Sequence, residues 1–348
     1  MPEFNYLTTH VGSVPHLEAE RLTSQLNSLL DIPSWLQLTR RDFRENIYTQ
    51  YAPTLPGAVV DEEKEKAHID TGSPNFDAEL ESFYQSIIDD NTDAFALHPD
   101  YAQGFYALLD SLKSYSSTYV KGQVMGPISF GLTVTDQDGR ACLYNEMLVD
   151  VLIKHMTFNA RWQVSQLKNI SEQVILFVDE PYMASFGSAY VSLSKEQVII
   201  WLDEVYEALH TAGAITGTHC CGNTDWGVLL GTQVDILNLD AYSFIENLAL
   251  YPVELRGFLD RGGAICWGLI PNNEQIFNET PQSLAKKLQD GIKLISEKAA
   301  KRGITIHPDE FASRSLVAPA CGLGSATVEI ADRVFDVLGE TGAILKKG

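Results

Sequence analysis

Long apolar stretches are missing from this chain. No run reaches the roughly 18 consecutive apolar residues that a membrane-spanning helix needs. The first residues, MPEFNYLTTHVGS, lack the basic start and apolar centre of a secretory leader. Positive charge is scarce too: 25 Lys and Arg stand against 46 Asp and Glu, a formal charge of −21. That balance leaves no basic face for nucleic acid and disfavours attraction to an anionic membrane. An anionic ligand would be repelled at long range, so it would need a local cation in its pocket. Cysteine is sparse as well. Five in 348 residues do not make a disulfide framework. In a reducing cytoplasm, the location these absences predict, such residues are buried, catalytic or metal-binding.

What is present is a regular alternation. Eight short apolar runs read as strands: 7–13, 35–41, 119–126, 174–181, 215–222, 234–242, 263–271 and 316–324. Helical periodicity fills 141–172, 195–212 and 282–301, with Gly213 and Gly303 placed as C-terminal stops and Pro281 at a helix start. Eight βα units predict an α/β fold, a single (β/α)8 TIM barrel over 1–348. The uneven segment 52–118, with its charged stretch DEEKEKAHID (61–70), reads as an insertion in that barrel.

Polar residues gather where the strands end: Ser13, Asp179, Glu180, His219, Cys221, Asp240 and Cys321. In a barrel these ends form one rim, which carries the active site. The stretch THCCGN (218–223) sets two cysteines side by side. Side chains alternate along a strand, so His219 and Cys221 point one way and Cys220 the other, toward packing. His219 and Cys221 could then form a two-ligand unit for zinc, which favours imidazole and thiolate, with Cys321 and Asp240 on the same rim. The alternative reading of each cysteine is a small buried hydrophobe, which is how Cys142 and Cys266 are read. A disulfide between vicinal cysteines is disfavoured by its strain.

Five motifs carry a resemblance. TTHVGSVPH (8–16), KGQVMGPISFG (121–131), FVDEP (177–181), THCCGN (218–223) and PACGLG (319–324) resemble, in order and spacing, the C-terminal catalytic barrel of cobalamin-independent methionine synthase. That family sits in a superfamily with uroporphyrinogen decarboxylase and the methylcobamide:thiol methyltransferases, and GAICWGLIPNN (263–273) looks more like those relatives. The resemblance implies a "core" version without the family's additional N-terminal barrel. It implies a zinc-dependent thiol S-methyltransferase of methionine biosynthesis, acting on homocysteine or a related mercapto-acid. His219, Cys221 and Cys321 match the family's zinc ligands. Asp240 stands where the fourth, a glutamate, is expected, and Glu246 is the fallback. Ser13 and Asp179 match residues that hold the amino-acid substrate, Asp179 through its ammonium group.

Two departures redirect the expectation. Alignment through RENIYTQYAPTLPGAVV (44–60) places Arg41 where the family has a second ammonium-binding glutamate. An arginine there favours a carboxylate or sulfonate, or else pairs with an acidic neighbour. The family's Asp-x-His near the end of strand seven is replaced by Trp267-Gly268-Leu269. Methyl transfer from a folate nitrogen needs a general acid, whereas a methyl-corrinoid leaves without a proton. The donor expected is therefore methylcobalamin or a methylated corrinoid carrier protein. His10, His16 and His307 are the candidate acids otherwise, His10 foremost. A uroporphyrinogen-decarboxylase-like enzyme, a zinc hydrolase and a non-catalytic carrier are the rival readings. The first lacks its Arg-rich N-terminal segment here, and the second lacks a His-x-His on strand one, where Thr9-His10-Val11 stands.

Overall fold

The computed structural model describes residues 2–113, 117–188 and 191–347. Ten strands form among them: β1 (Leu7–Thr8), β2 (Ala58–Asp61), β3 (Lys66–Ile69), β4 (Ser117–Met125), β5 (Thr135–Asp136), β6 (Ser171–Asp179), β7 (Ile215–Cys220), β8 (Ile236–Leu239), β9 (Ala264–Ile270) and β10 (Ser315–Pro319). Seven make one curled parallel sheet in the order β1-β10-β9-β8-β7-β6-β4. The three long helices expected from periodicity are present as Glu146–Leu167, Lys195–Thr211 and Pro281–Ala300. Their starts are set by local chemistry. The Asn145 side chain accepts from the Met147 and Leu148 amides, and Ser194 with Gln197 and Thr280 with Ser283 form capping boxes. Gly213 and Gly303 follow the last two helices at φ of 75° and 76°, the left-handed region that glycine enters without a Cβ clash.

The run 35–41 is not a strand. Among the described residues this part of the chain makes isolated parallel bridges, Gln37 to Ser13 within the run and Ser34 to Lys121 just before it. The reason lies in its sequence. Pro33 has no N–H to give, and side chains stand in where ladder bonds would run: Gln123 Nε2 donates to the Trp35 carbonyl at 3.0 Å. The main chain still spans the interval between β1 and β4, with Ile32 N donating to Thr8 O and Lys121 N to Pro33 O. The segment 52–118 carries strands and helices of its own among its described residues. Its charged stretch is the antiparallel β2–β3 hairpin, and β3 adds β5 in parallel to make a separate three-stranded sheet.

Alternation along the strands divides the core in two. Ile175 and Phe177 of β6 join Ile236, Cys266, Leu316 and Ala318 on the concave face of the sheet. Val174, Leu176 and Val178 join the larger cluster under the helices. Both faces are covered, which explains the near-continuous apolar strands. The concave face also buries polar groups. Lys121 Nζ donates to Val11 O at 2.9 Å and Gln123 Oε1 at 3.0 Å, and lies over the Phe177 ring at 4.9 Å. Burial pushes this lysine down to about 8. His10 is buried on the helix side of the sheet, its ring 6.0 Å from that of Phe335, with Nε2 against the Ser34 carbonyl at 3.2 Å. Burial, aided by the Lys121 charge, lowers His10 to about 3, so the ring is neutral.

Candidate metal and thiol site

The C-terminal ends of the parallel strands surround a cavity of about 440 Å³. Ser13, Asp179, His219, Cys221 and Cys321 all line it, although the chain separates the first from the last by most of its length. The ligand atoms of His219, Cys221 and Cys321 lie within 4.8 Å of one another. β7 delivers the first two. His219 faces the cavity, and Cys220 is fully buried in the cluster under the helices. Cys321 follows β10, across the cavity mouth.

The histidine is set for a ligand. Asn238 Nδ2 donates to the Cys266 carbonyl at 2.7 Å, so its other atom, Oδ1, is an acceptor. His219 Nδ1 lies 2.6 Å from that oxygen and must carry the proton. Nε2 is then the nitrogen turned to Cys221 and left for a metal; against the cost of burial, the Cys221 sulfur raises the imidazole above its ordinary value. Asn238 sits on β8 in register with His219. Its strand position was visible in ILNLD, but nothing in the sequence alone ties it to a histidine 19 residues earlier.

The two thiols are unequal. Cys321 donates to Cys221 and, with His219, holds the Cys221 thiol well below the ordinary cysteine range. As the donor, Cys321 is pushed well above it. One shared negative charge therefore already rests on this sulfur pair beside an imidazole. Two thiols and an imidazole whose Nε2 is turned to them form a donor set that suits zinc.

Asp240 is outside that group of three. It ends β8 as the N-cap of the helix Ala241–Leu248, one oxygen accepting from the Ser243 amide at 2.8 Å. Burial raises it, opposed by its hydrogen bonds with Ser243 and then by the nearby His219. Glu246 is on the outer side of that helix, exposed and 3.7 Å from Lys298. Arg41 ion-pairs with the buried Glu45, four residues on. The cavity arginine is its neighbour Arg40. His16 pairs with Asp332 at 3.0 Å away from the cavity, and the backbone N–H of His307 donates to Glu310. Sequence reasoning also missed Gln37, Thr39 and Asn46, which line the cavity from a segment read only as a strand and its loop.

Adjacent carboxylates at the end of β6 do different things. Asp179 is buried on the cavity wall, and its Oδ1 has no hydrogen-bond partner. Burial raises it to about 6, against the pull of His219 and Lys121. Glu180 points away and accepts from Ile128 N at 3.0 Å, Ser129 N at 2.7 Å and Ser129 Oγ at 2.5 Å. It caps the helix Pro127–Thr133, and a Cβ on Gly126 would lie 2.1 Å from its Oε1, so only glycine admits the contact.

No protein-family model matches the chain, and no curated protein does. Among solved structures, the chain is similar to that of a B12-independent methionine synthase from Shewanella sp. W3-18-1 in complex with selenomethionine. The two share 16% identity at a TM-score of 0.51, over 94% of this chain and 87% of that one. At that identity the likeness is one of fold: this chain has an α/β architecture similar to the methionine synthase core, with the His219, Cys221 and Cys321 cluster at the C-terminal ends of its parallel strands.

Proposed function

We propose that this protein is a zinc-dependent thiol S-methyltransferase built on a single (β/α)8 barrel, in which residues 34–37 take the place of the second strand. The observation that carries the reading is the convergence of His219 Nε2, Cys221 and Cys321 in a cavity that also holds a buried carboxylate without a partner on one oxygen. His219, Cys221 and Cys321 would hold the metal, with Asp240 next to them as the fourth candidate. Zinc bound there would keep an incoming substrate sulfur as the thiolate, the nucleophilic form, at neutral pH. Ser13 and Asp179 bind the acceptor, Asp179 by offering its free oxygen to a cationic group such as the ammonium of homocysteine. The strand ends hold the acceptor in one orientation for in-line attack on a methyl group, and positioning of this kind supplies much of a transfer rate.

The donor reading rests on what the cavity offers a leaving group. His10, His16 and His307 are not among its lining residues, and His10 is neutral and buried. A donor that leaves without taking a proton, a methyl-corrinoid free or on a carrier protein, suits such a wall. The reading places the protein in the cytoplasm, on a route to methionine or a related thioether. Its test is a matrix of thiol acceptors against methylcobalamin and methyltetrahydrofolate with the zinc-loaded protein, read as methylated product. Product with methylcobalamin and a mercapto-acid is the expected outcome. Zinc bound but no product from any pair would overturn the reading.

Asn238 gives a separate check on the metal. Asn238→Ala frees the His219 ring to rotate and to change tautomer. Zinc affinity, measured by chelator competition, is expected to fall about 10–100-fold, the usual worth of a partner behind a ligating histidine. An unchanged affinity would mean that Nε2 is not the ligand atom.

A further inference from the structure

The cavity wall carries a guanidinium. Among the described residues Arg40 is the only Lys or Arg lining it, in a chain whose acidic residues outnumber its basic ones by 46 to 25. It is nonetheless given main-chain partners rather than a carboxylate. Nε donates to the Gly324 carbonyl at 3.0 Å and Nη2 to the Ser325 carbonyl at 2.7 Å. A guanidinium has five N–H donors, so these bonds fix its plane and leave the remainder unused. A carbonyl carries no formal charge to offset the guanidinium.

The anchor is the loop that carries Cys321. That loop fits tightly against the Arg40 side of the cavity. A Cβ on Gly322 would sit 2.2 Å from Ser13 Oγ, and one on Gly324 would sit 2.5 Å from Thr39 Oγ1. The arginine is therefore held in fixed relation to one sulfur of the cluster. The unpartnered oxygen of Asp179 belongs to a different wall, at the end of β6. The cavity thus offers a cation and an anion from separate elements, with the sulfur cluster in the same space.

We propose that Arg40 is a specificity-determining residue that reads an anionic group, carboxylate or sulfonate, on the thiol acceptor. A fork with free N–H donors matches two oxygens of such a group, and charge-assisted bonds of that kind are about twice as strong as neutral ones. The inference rests on the thiol-acceptor reading of the cavity and adds to it which thiols are taken. Arg41, held by Glu45, is left to fold the loop.

The test compares 3-mercaptopropanoate, 2-mercaptoethanesulfonate and neutral 2-mercaptoethanol as acceptors, with methylcobalamin as donor, in the zinc-loaded wild type, Arg40→Lys and Arg40→Gln. Zinc content and melting temperature of each variant establish that the site and fold are intact. Wild type is expected to prefer one or both anionic thiols. Arg40→Gln is expected to raise their KM about 10–100-fold more than that of 2-mercaptoethanol, with Arg40→Lys in between. The propanoate and sulfonate arms show which anion fits. A uniform loss across all three thiols, or an unchanged ratio, overturns the inference and leaves Arg40 as a loop clamp. Calorimetric binding of 3-(methylthio)propanoate and 3-(methylthio)propan-1-ol separates the two levels. If no thiol is methylated but Arg40→Gln still weakens only the carboxylate, the methyl-transfer reading fails and the Arg40 inference stands. If the two thioethers bind equally to the wild type, the inference falls whatever the turnover.

Discussion

If zinc binds as proposed, at roughly one equivalent per chain, Cys221→Ser and Cys321→Ser are each expected to lose it, and with it all methyl transfer. A serine hydroxyl at neutral pH is a poor replacement for a thiolate, and zinc sites of this type take their ligands from Cys and His. The loss of affinity should exceed the 10–100-fold expected from Asn238→Ala, which removes only a partner behind a ligand. Cys220→Ser is the control. Its thiol is buried under the helices, with Sγ 3.6 Å from the Gly222 carbonyl, and never meets the cavity. The variant should lose stability by about 1–3 kcal/mol from burying a hydroxyl among apolar neighbours, and should keep its zinc. Elemental analysis of the three purified variants decides the matter. Retention of metal in either of the first two, or its loss in the third, would remove the assignment.

The second large effect separates the neighbours Asp179 and Glu180. Glu180→Ala strips the helix Pro127–Thr133 of an acceptor that takes two amides and a hydroxyl, all buried. Unfolding free energy is expected to drop by about 3–5 kcal/mol, because the stranded donors have no water to turn to. Asp179→Asn should cost little stability and remove the preference for acceptors bearing an ammonium group. Its pH signature can be worked out. Burial raises the Asp179 carboxyl from 3.8 to about 6, so the folded protein holds that proton longer than the unfolded chain does. Its contribution to stability is complete below pH 4 and is lost as the pH rises to about 6, a change of about 3 kcal/mol in the metal-free protein. Denaturant titrations of metal-free wild type and Asp179→Asn between pH 4 and pH 7 should diverge by that amount. Parallel curves would show that the Asp179 charge is compensated by a partner, contrary to its bare Oδ1.

The pair also shows what could be read from FVDEP. Two acidic residues at a strand end mark a rim, and the alternation of a strand sends them to opposite faces. Which one faces the cavity depends on the phase of β6, fixed by Ile175 and Phe177 on the concave side. Arg40 and Arg41 pose the same problem without a strand to set the phase. Residues 34–37 touch their neighbours only by single bridges, and beyond them alternation carries no information. The expectation therefore placed Arg41 by alignment, while packing of Arg40 on the Gly324 and Ser325 carbonyls put the other arginine on the wall.

Local sequence by itself determined the elements and the direction of the ligands. Apolar runs and caps specified seven of the parallel strands and the long helices, and period-two alternation split Cys220 from Cys221. These depend on neighbours a few residues away, which the sequence displays directly. Only the tertiary structure decided which partners complete the site. Asn238 fixes the His219 tautomer across a strand pair, Cys321 shares a proton with Cys221 across a cavity, and Arg40 finds carbonyls more than 280 positions later. Each of these contacts depends on how the sheet curls and how its strands register. That geometry is set by the packing of both sheet faces together, and no stretch of the chain carries it alone.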